Sequence, residues 1–201
     1  MPLKIAVCVS GGGSNLLALL ESLRNFGGAK VVLVLSNRAT AGGLGHAKAF
    51  GVPVVVFRNP ADDAEWLEAL RQHHVDLIVL AGYLKLVPPA VIAAFRDRII
   101  NIHPALLPSF GGPGMYGLTV HQAVLASGAK VSGCTVHLVD EEYDRGPILA
   151  QSRVPVFPGD TAETLATRVL EAEHRLLPAV VRAAAEAGRP IPLPQPVESN
   201  P

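Results

Sequence analysis

The sequence predicts an α/β domain with an open, mostly parallel sheet that carries helices on both faces. Over the first hundred residues, short β-branched runs alternate with helical stretches. These runs are apolar almost throughout, as in VVLVLS (31–36) and DLIVLAG (76–82), which is typical of strands covered on both faces. With 201 residues, 49% of them hydrophobic, the chain can bury one core of ordinary size.

The individual elements follow from the same patterns. Strands are predicted at 3–9, 31–36, 53–57, 75–80 and 98–102, and helices at 14–25, 41–50, 62–73 and 88–95. Prolines and glycines crowd 104–117, which predicts an ordered loop, and a loop of this length is usually functional. Then come a helix at 118–127, strands at 131–139 and 148–156, and a long helix at 161–187. We expect one domain at 1–188 and an extended, proline-rich tail at 189–201.

Composition favours a cytoplasmic protein with a small-molecule ligand. Lys+Arg and Asp+Glu both number 17, so no basic excess predicts a nucleic-acid partner. The start MPLKIAVCVS lacks the apolar run of a signal peptide, and no stretch reaches the roughly 18 apolar residues that span a membrane. Cys8 and Cys134 lie in predicted strands and are expected to be core residues, since two scattered cysteines predict neither a disulfide framework nor a metal site.

The strand predicted at 98–102 is followed closely by proline and carries two polar residues to its end. Asn101 and His103 are two apart and therefore project from one face, while Ile100 and Ile102 pack on the other. An amide that polarises a carbonyl oxygen and an imidazole that moves a proton are suited to acyl or formyl transfer to an amine. The alternative is a strand-end pair whose hydrogen bonds are satisfied by loop backbone.

The segment GGGSN (11–15) joins the first strand to the first helix, where backbone N–H groups and the helix dipole favour an anion. An NAD site is disfavoured, because Leu16 replaces the third glycine of the dinucleotide pattern and the second strand ends in SNR (36–38) without an acid. We interpret the segment as a phosphomonoester site formed by Gly13, Ser14 and Asn15. A purely structural glycine turn is the alternative.

Acidic residues stand out in two places. Glu173 falls in the middle of the apolar stripe of the helix at 161–187, so it either pairs with an internal arginine or binds a ligand, and the residues alone favour the ion pair. In the turn at 140–146, Asp140 and its two glutamate neighbours are expected on the solvated surface. If this turn folds back over the sheet, Asp144 would meet His103 and raise the pKa of its imidazole.

Five segments in order resemble one known family: SGGGSN (10–15), LAGYLKLV (80–87), INIHPALLPSF (100–110), GCTVHLVDEEYDRGPILAQ (133–151) and AEHRLLP (172–178). They resemble the phosphoribosylglycinamide formyltransferases, folate-dependent enzymes of purine synthesis, from residue 3 to about residue 188. The resemblance implies a Rossmann-like formyltransferase fold with a C-terminal strand pair and a long helix. It also implies formyl transfer from 10-formyltetrahydrofolate to the amine of glycinamide ribonucleotide, without a metal, by a monomer or homodimer.

The same resemblance implies roles for individual residues. The catalytic residues would be Asn101, His103 and Asp144, with Asn101 and a protonated His103 stabilising the oxyanion. The ribonucleotide would bind Gly13, Ser14 and Asn15 through its phosphate, and would also contact Glu173. The folate would bind Leu84, Lys85, Leu86, Val87, Asn101, Val139 and Asp140.

The sequence departs from the family pattern at three places. Lys85 stands where many members have arginine, the segment 61–65 is short and lacks the arginine used near the folate, and the loop at 111–117 is longer than in the shortest members. Methionyl-tRNA formyltransferases and formyltetrahydrofolate hydrolases are alternatives, but each normally has a further domain for which we expect no room in 201 residues. A phosphometabolite-binding regulator without turnover is the alternative from another class.

Overall fold

A computed structural model describes residues 1–193, which form seven strands and six helices. The strands are β1 (Leu3–Val9), β2 (Ala29–Ser36), β3 (Val54–Val56), β4 (Leu77–Leu80), β5 (Ile99–His103), β6 (Val131–Leu138) and β7 (Ile148–Pro155). The helices are α1 (Ser14–Leu23), α2 (Gly43–Ala49), α3 (Asp63–Gln72), α4 (Pro89–Ala94), α5 (Leu118–Ala126) and α6 (Ala162–Ala187). Every predicted element is confirmed, with ends that differ by two residues or fewer. The predicted tail lies outside the described residues from 194 onward.

The seven strands form one sheet in the order β3-β2-β1-β4-β5-β6-β7. Strands β1 to β5 are parallel, whereas β6 is antiparallel to both β5 and β7, which confirms the mostly parallel sheet with a C-terminal strand pair. Both faces of β1 are buried: Ile5 and Val7 belong to the core that includes α1 and α6, while Ala6 and Cys8 belong to the core that includes α3. Helices therefore cover the sheet on both sides, as uniformly apolar strands require.

The order of the strands places a ligand site at the carboxyl edge of the sheet. Strands β1 and β4 are neighbours although two strands and their helices separate them in the chain, so the direction of sheet growth reverses between them. In open α/β sheets, ligands bind outside the carboxyl ends of the strands at such a reversal. The turn at 11–13, the segment at 81–87 and the end of β5 all meet there.

The antiparallel register between β5 and β6 places polar side chains opposite one another. Asn101 pairs with His137, and His103 pairs with Thr135. The Thr135 hydroxyl donates to the carbonyl oxygen of Ala105 at 2.6 Å, which anchors the first residues of the loop at 104–117. Strand β6 therefore both pairs with Asn101 and His103 of β5 and anchors the start of the loop at 104–117.

The structure of residues 1–193 tests two expectations from composition, one on the cysteines and one on membrane-spanning segments. Cys8 and Cys134 are both buried free thiols, as predicted, and burial raises the pKa of each. No helix in this part of the chain combines the length and the apolar composition needed to cross a membrane.

Candidate active site

A cleft of about 520 Å³ opens at the carboxyl edge of the sheet. This volume is within the range of small-molecule sites in proteins, about 300 to 1,000 Å³. Its walls bring together almost all of the predicted site residues: Asn15, Leu84, Lys85, Leu86, Val87, Asn101, His103, Val139, Asp140, Asp144 and Glu173. Of the predicted set, Gly13 and Ser14 do not line the cleft. Apart from Gly13 and Ser14, the residues predicted to react and those predicted to bind two different substrates thus share one cavity.

Asn101, His103 and Asp144 meet within this cleft. The Nδ1 atom of His103 lies 3.5 Å from Asp144 Oδ2, and Asn101 Nδ2 lies 3.4 Å from Asp144 Oδ1. Asp144 Oδ2 also accepts the backbone N–H of Gly112 at 2.9 Å. The turn at 140–146 therefore does fold back over the sheet, and its carboxylate joins strand β5 to the loop at 104–117.

The second nitrogen of the His103 ring contacts the same loop. Nε2 lies 2.8 Å from the carbonyl oxygen of Phe110. Because a carbonyl oxygen can only accept, Nε2 carries a hydrogen and donates it. The long loop predicted to be functional thus contacts the imidazole directly.

Burial lowers the pKa of His103 below its ordinary value of 6.5. The Asp144 charge and the Phe110 carbonyl act in the opposite direction without restoring it, and His137 lowers it further. The predicted contact with Asp144 is present, but the predicted rise in pKa is wrong. The ring is only 3% exposed, and its removal from water outweighs one carboxylate at 3.5 Å. His103 is therefore neutral near pH 7 rather than protonated.

Asp144, in contrast, is ionised near pH 7. Burial raises the pKa of its carboxyl, but the neighbouring His137 and His103 rings and the backbone amide of Gly112 together hold the pKa below the ordinary value of 3.8. A fixed negative charge therefore lies beside a neutral imidazole. Any positive charge that develops on His103 during a reaction would be stabilised by this carboxylate.

Two buried imidazoles on the wall of the cleft, His121 and His137, were not predicted from the sequence. His121 lies on α5, and its Nδ1 has no hydrogen-bond partner in the described part of the chain. His137 has Nδ1 2.8 Å from its neighbour's carbonyl, Leu138 O, and Nε2 3.1 Å from Asn101 Nδ2. The signal for His137 was available, because Thr135 and His137 are two apart on a strand and so share a face.

Glu173 projects from α6 into the cleft, and its contacts decide between the two interpretations of its position. The residue is 6% exposed, and Asn15 Nδ2 donates to its Oε2 at 2.6 Å. No cation pairs with it anywhere in residues 1–193, so the ion pair that the residues alone favoured is wrong. Burial raises the pKa of Glu173 to about 7, and the hydrogen bond from Asn15 opposes the rise. A buried carboxylate without a cation at a cleft wall is the expected arrangement for contact with a ligand.

The turn before α1 requires glycine at position 13. Gly13 has φ of 78°, and a Cβ there would overlap the backbone of Gly43. The structural role of the turn is therefore real, but it does not exclude anion binding. The first amides of α1 have no acceptors within the helix and lie next to Asn15, which does reach the cleft.

A substitution at Gly13 is expected to be costly in two ways. Gly13→Ala should lower the free energy of unfolding by about 1–3 kcal/mol, because alanine is strained at a left-handed φ and its Cβ displaces Gly43. It should also raise KM for a phosphorylated substrate. Gly12→Ala is the matched control, because a Cβ at that position meets no atom within 4 Å. Equal melting temperatures for the two variants would contradict this account.

One wall of the cleft exposes apolar side chains. Leu84 and Leu86 are 40% and 52% exposed, and Lys85 between them is also exposed. The backbone of this wall is fixed, since the N–H of Leu84 donates to Ser10 Oγ at 2.9 Å and Ser10 in turn donates to Asn37 Oδ1. A rigid segment with exposed leucines is suited to one face of a flat heterocycle.

The chain is similar to known formyl transferases in both sequence and structure. The formyl transferase family matches residues 3–181. The chloroplastic phosphoribosylglycinamide formyltransferase of Arabidopsis thaliana is 51% identical over 191 residues, which cover 91% of this chain and 65% of the plant protein. The phosphoribosylglycinamide formyltransferase of Haemophilus influenzae is 39% identical and covers 89% and 85% of the two chains.

Solved structures give the same result. The crystal structure of phosphoribosylglycinamide formyltransferase from Brucella melitensis matches with a TM-score of 0.84 at 46% identity, covering 92% of this chain and 96% of that one. The fold is therefore that of known formyltransferases. The chain nevertheless spans less than two thirds of the Arabidopsis relative.

Proposed function

The chain belongs to the formyl transferase family, and from this premise we propose that it transfers the formyl group of 10-formyltetrahydrofolate to the amine of 5′-phosphoribosylglycinamide, a step of purine synthesis. One observation carries the proposal. A single cleft combines an exposed apolar wall, a buried Asn15–Glu173 pair and the Asn101–His103–Asp144 cluster. The first suits a pterin ring and the second suits the polar groups of a ribonucleotide.

We assign the ribonucleotide to the side of the cleft formed by α1 and α6. Its phosphate would meet the amides at the start of α1, in the turn that contains Gly13 and Ser14. Glu173 would accept hydrogen bonds from a hydroxyl or N–H group of the same ligand. Asn15 Oδ1, which is buried without a partner in the described residues, could accept another. The ligand would thus supply hydrogen-bond donors to Glu173 and to Asn15 Oδ1.

We assign the folate to the opposite wall. Leu84 to Val87 would contact the pterin on one side, and Val139 and Asp140 would contact it at the edge of the turn at 140–146. Lys85 is exposed, so a backbone contact at this position does not depend on whether lysine or arginine stands there. This arrangement directs the formyl group toward β5.

In the reaction, the amine nitrogen forms a bond to the formyl carbon, and an electron pair moves onto the formyl oxygen. We assign the stabilisation of that oxygen to N–H groups of Asn101 Nδ2 and His103 Nε2, which contact His137 and the Phe110 carbonyl in the structure. The bond from the formyl carbon to the folate nitrogen then breaks, the amine loses a proton and the folate nitrogen gains one. His103 is the group suited to carry this proton, because Asp144 stabilises the ring when it becomes charged.

The Phe110 carbonyl holds the His103 hydrogen in the structure, at 2.8 Å. For His103 to donate to the formyl oxygen, that oxygen must replace the carbonyl at Nε2. This exchange is isolated from water, because His103 is almost fully buried. The loop at 104–117 therefore takes part in the reaction by releasing a donor rather than by supplying one.

The proposal is tested with purified protein, glycinamide ribonucleotide and 10-formyltetrahydrofolate. We expect formylglycinamide ribonucleotide and tetrahydrofolate to form in equal amounts, without added metal and with no effect of a chelator, because Asn101 and His103 supply the donors. The matched substrate is the glycinamide nucleoside without its phosphate. Its KM should be higher by about tenfold or more, since charge-assisted hydrogen bonds contribute about 1.5–3 kcal/mol.

Three outcomes would contradict the proposal. Release of formate without formylation of the amine would identify a hydrolase. Tight binding of the ribonucleotide without turnover would identify a regulator. Equal KM values with and without the phosphate would remove the assignment of the phosphate to the start of α1.

A further inference from the structure

His137 is held by a hydrogen bond that fixes where its hydrogen lies. The ring is 2% exposed, and Nδ1 lies 2.8 Å from the carbonyl oxygen of Leu138. That oxygen can only accept, so Nδ1 must carry the hydrogen. In the neutral ring, Nε2 is then an acceptor with one lone pair.

The lone pair of His137 determines which end of the Asn101 amide faces it. Asn101 Nδ2 lies 3.1 Å from Nε2, which is hydrogen-bond distance for an N–H donor. The amide oxygen could not take this place, because two acceptors would oppose each other. The Leu138 carbonyl thus fixes the tautomer of the His137 ring, and this tautomer in turn fixes which end of the Asn101 amide faces the ring. The 3.5 Å separation between Nε2 and Asp144 Oδ1 is longer than a good hydrogen bond.

The second hydrogen of the Asn101 amide is only weakly held. Its acceptor in the structure is Asp144 Oδ1 at 3.4 Å, a distance at which a hydrogen bond is weak. His137 holds the amide on one side at 3.1 Å, while the contact to the carboxylate on the other side is the longer of the two. One amide hydrogen is therefore anchored, and the other remains available to the cleft.

We propose that His137 is a positioning residue, which anchors the Asn101 amide so that its free N–H points to the reacting oxygen. The proposal rests on the proposed formyl transfer for its kinetic consequence. Without His137, the amide either closes on Asp144 or turns its oxygen toward the cleft. In both cases the developing oxyanion loses a donor, while the walls that bind the substrates stay in place.

The kinetic test is a double-mutant cycle between the two residues. His137→Ala should lower kcat by about tenfold to a hundredfold, somewhat less than the 10²–10³ expected for complete loss of an oxyanion donor, with little change in KM. In the Asn101→Ala background the same substitution should change kcat by less than about twofold, because the residue through which it acts is gone. Full additivity of the two effects would overturn the proposal.

A measurement without substrate keeps the proposal testable if His137→Ala does not fold. The ¹⁵N chemical shifts of the His137 ring in the wild-type protein should show a protonated Nδ1 and an unprotonated Nε2 at pH 7.5. The opposite tautomer would overturn the proposal. This spectrum does not depend on turnover. Failure of formyl transfer to glycinamide ribonucleotide would therefore contradict the proposed function, whereas the tautomer of the His137 ring would still test the positioning geometry.

Discussion

Replacing His103 with alanine is expected to lower kcat by about 10²- to 10⁴-fold. In the proposed mechanism, the substitution removes an N–H donor to the formyl oxygen and the group that carries the proton. KM should change much less, because His103 is buried at the end of β5 and the proposed contacts to phosphate and pterin come from other elements. Asp144 would keep its hydrogen bond from Gly112, so the turn at 140–146 should stay in place.

Steady-state kinetics of His103→Ala should be compared with those of His73→Ala. His73 follows α3 and does not line the cleft, so its loss should leave kcat unchanged. A fall in kcat/KM that comes only from KM would assign His103 to binding. An unchanged kcat in a folded variant would remove it from the reaction.

The pH dependence of kcat/KM in the wild-type protein and in His103→Ala is a further readout. Since burial holds the pKa of His103 below 6.5, the wild-type ring should remain neutral down to slightly acidic pH. Its protonation should therefore give a decline of kcat/KM below pH 6.5 that is missing in His103→Ala. Glu173, with its pKa near 7, should produce a separate change closer to neutrality in both proteins.

Alternation along a single strand was sufficient to predict two of the three residues in the Asn101–His103–Asp144 cluster. Asn101 and His103 were identified because they are two apart on an apolar strand, and both line the cleft. Glu173 was identified by the same kind of argument on a helix, where it interrupts an apolar stripe and is buried as expected. Local periodicity predicts which face of a strand or helix a residue occupies, and in both cases this was enough to identify the residue as a candidate for the site.

What the sequence did not predict depends on contacts between distant segments. The contact between His137 and Asn101 depends on the antiparallel register that pairs the two residues. The sign of the His103 pKa shift required both the burial of the ring and the contact with Asp144, and the spacing of residues along the chain shows neither. The partner of Glu173 is Asn15, which lies 158 positions away in the chain. The pattern of the helix alone therefore could not show that this partner is an uncharged amide.

Glu173→Gln should make the protein more stable above pH 7 than the wild type. Burial raises the pKa of Glu173 from 4.5 to about 7 in the folded protein, so the folded state holds this proton more tightly than the unfolded chain. The resulting stabilisation is fully present below pH 4.5 and is lost as the pH rises through 7. A shift of this size corresponds to about 3 kcal/mol at 1.36 kcal/mol per unit. Glutamine does not titrate, so the variant should lack this pH dependence.

The same substitution should weaken binding of the ribonucleotide. If the carboxylate accepts hydrogen bonds from the ligand, loss of its charge should cost about 1.5–3 kcal/mol, which is about a tenfold to a hundredfold rise in Kd. Glu171→Gln is the matched control, because Glu171 is exposed two positions away on the same helix. It should change neither the melting temperature at pH 8 nor the affinity.

Thermal melting at pH 5 and pH 8, together with calorimetric titration of glycinamide ribonucleotide, separates a ligand contact from a scaffold role. A ligand-binding Glu173 gives a Gln variant that melts at higher temperature at pH 8 and binds more weakly. A scaffold carboxylate gives the reverse, because removal of a charge that the fold needs costs about 3–5 kcal/mol when its buried partner is left unpaired. The lone hydrogen bond from the neutral Asn15 amide favours the first outcome, since glutamine can still accept it. Unaltered affinity in a destabilised Gln variant would contradict the assignment of Glu173 as a contact of the ribonucleotide.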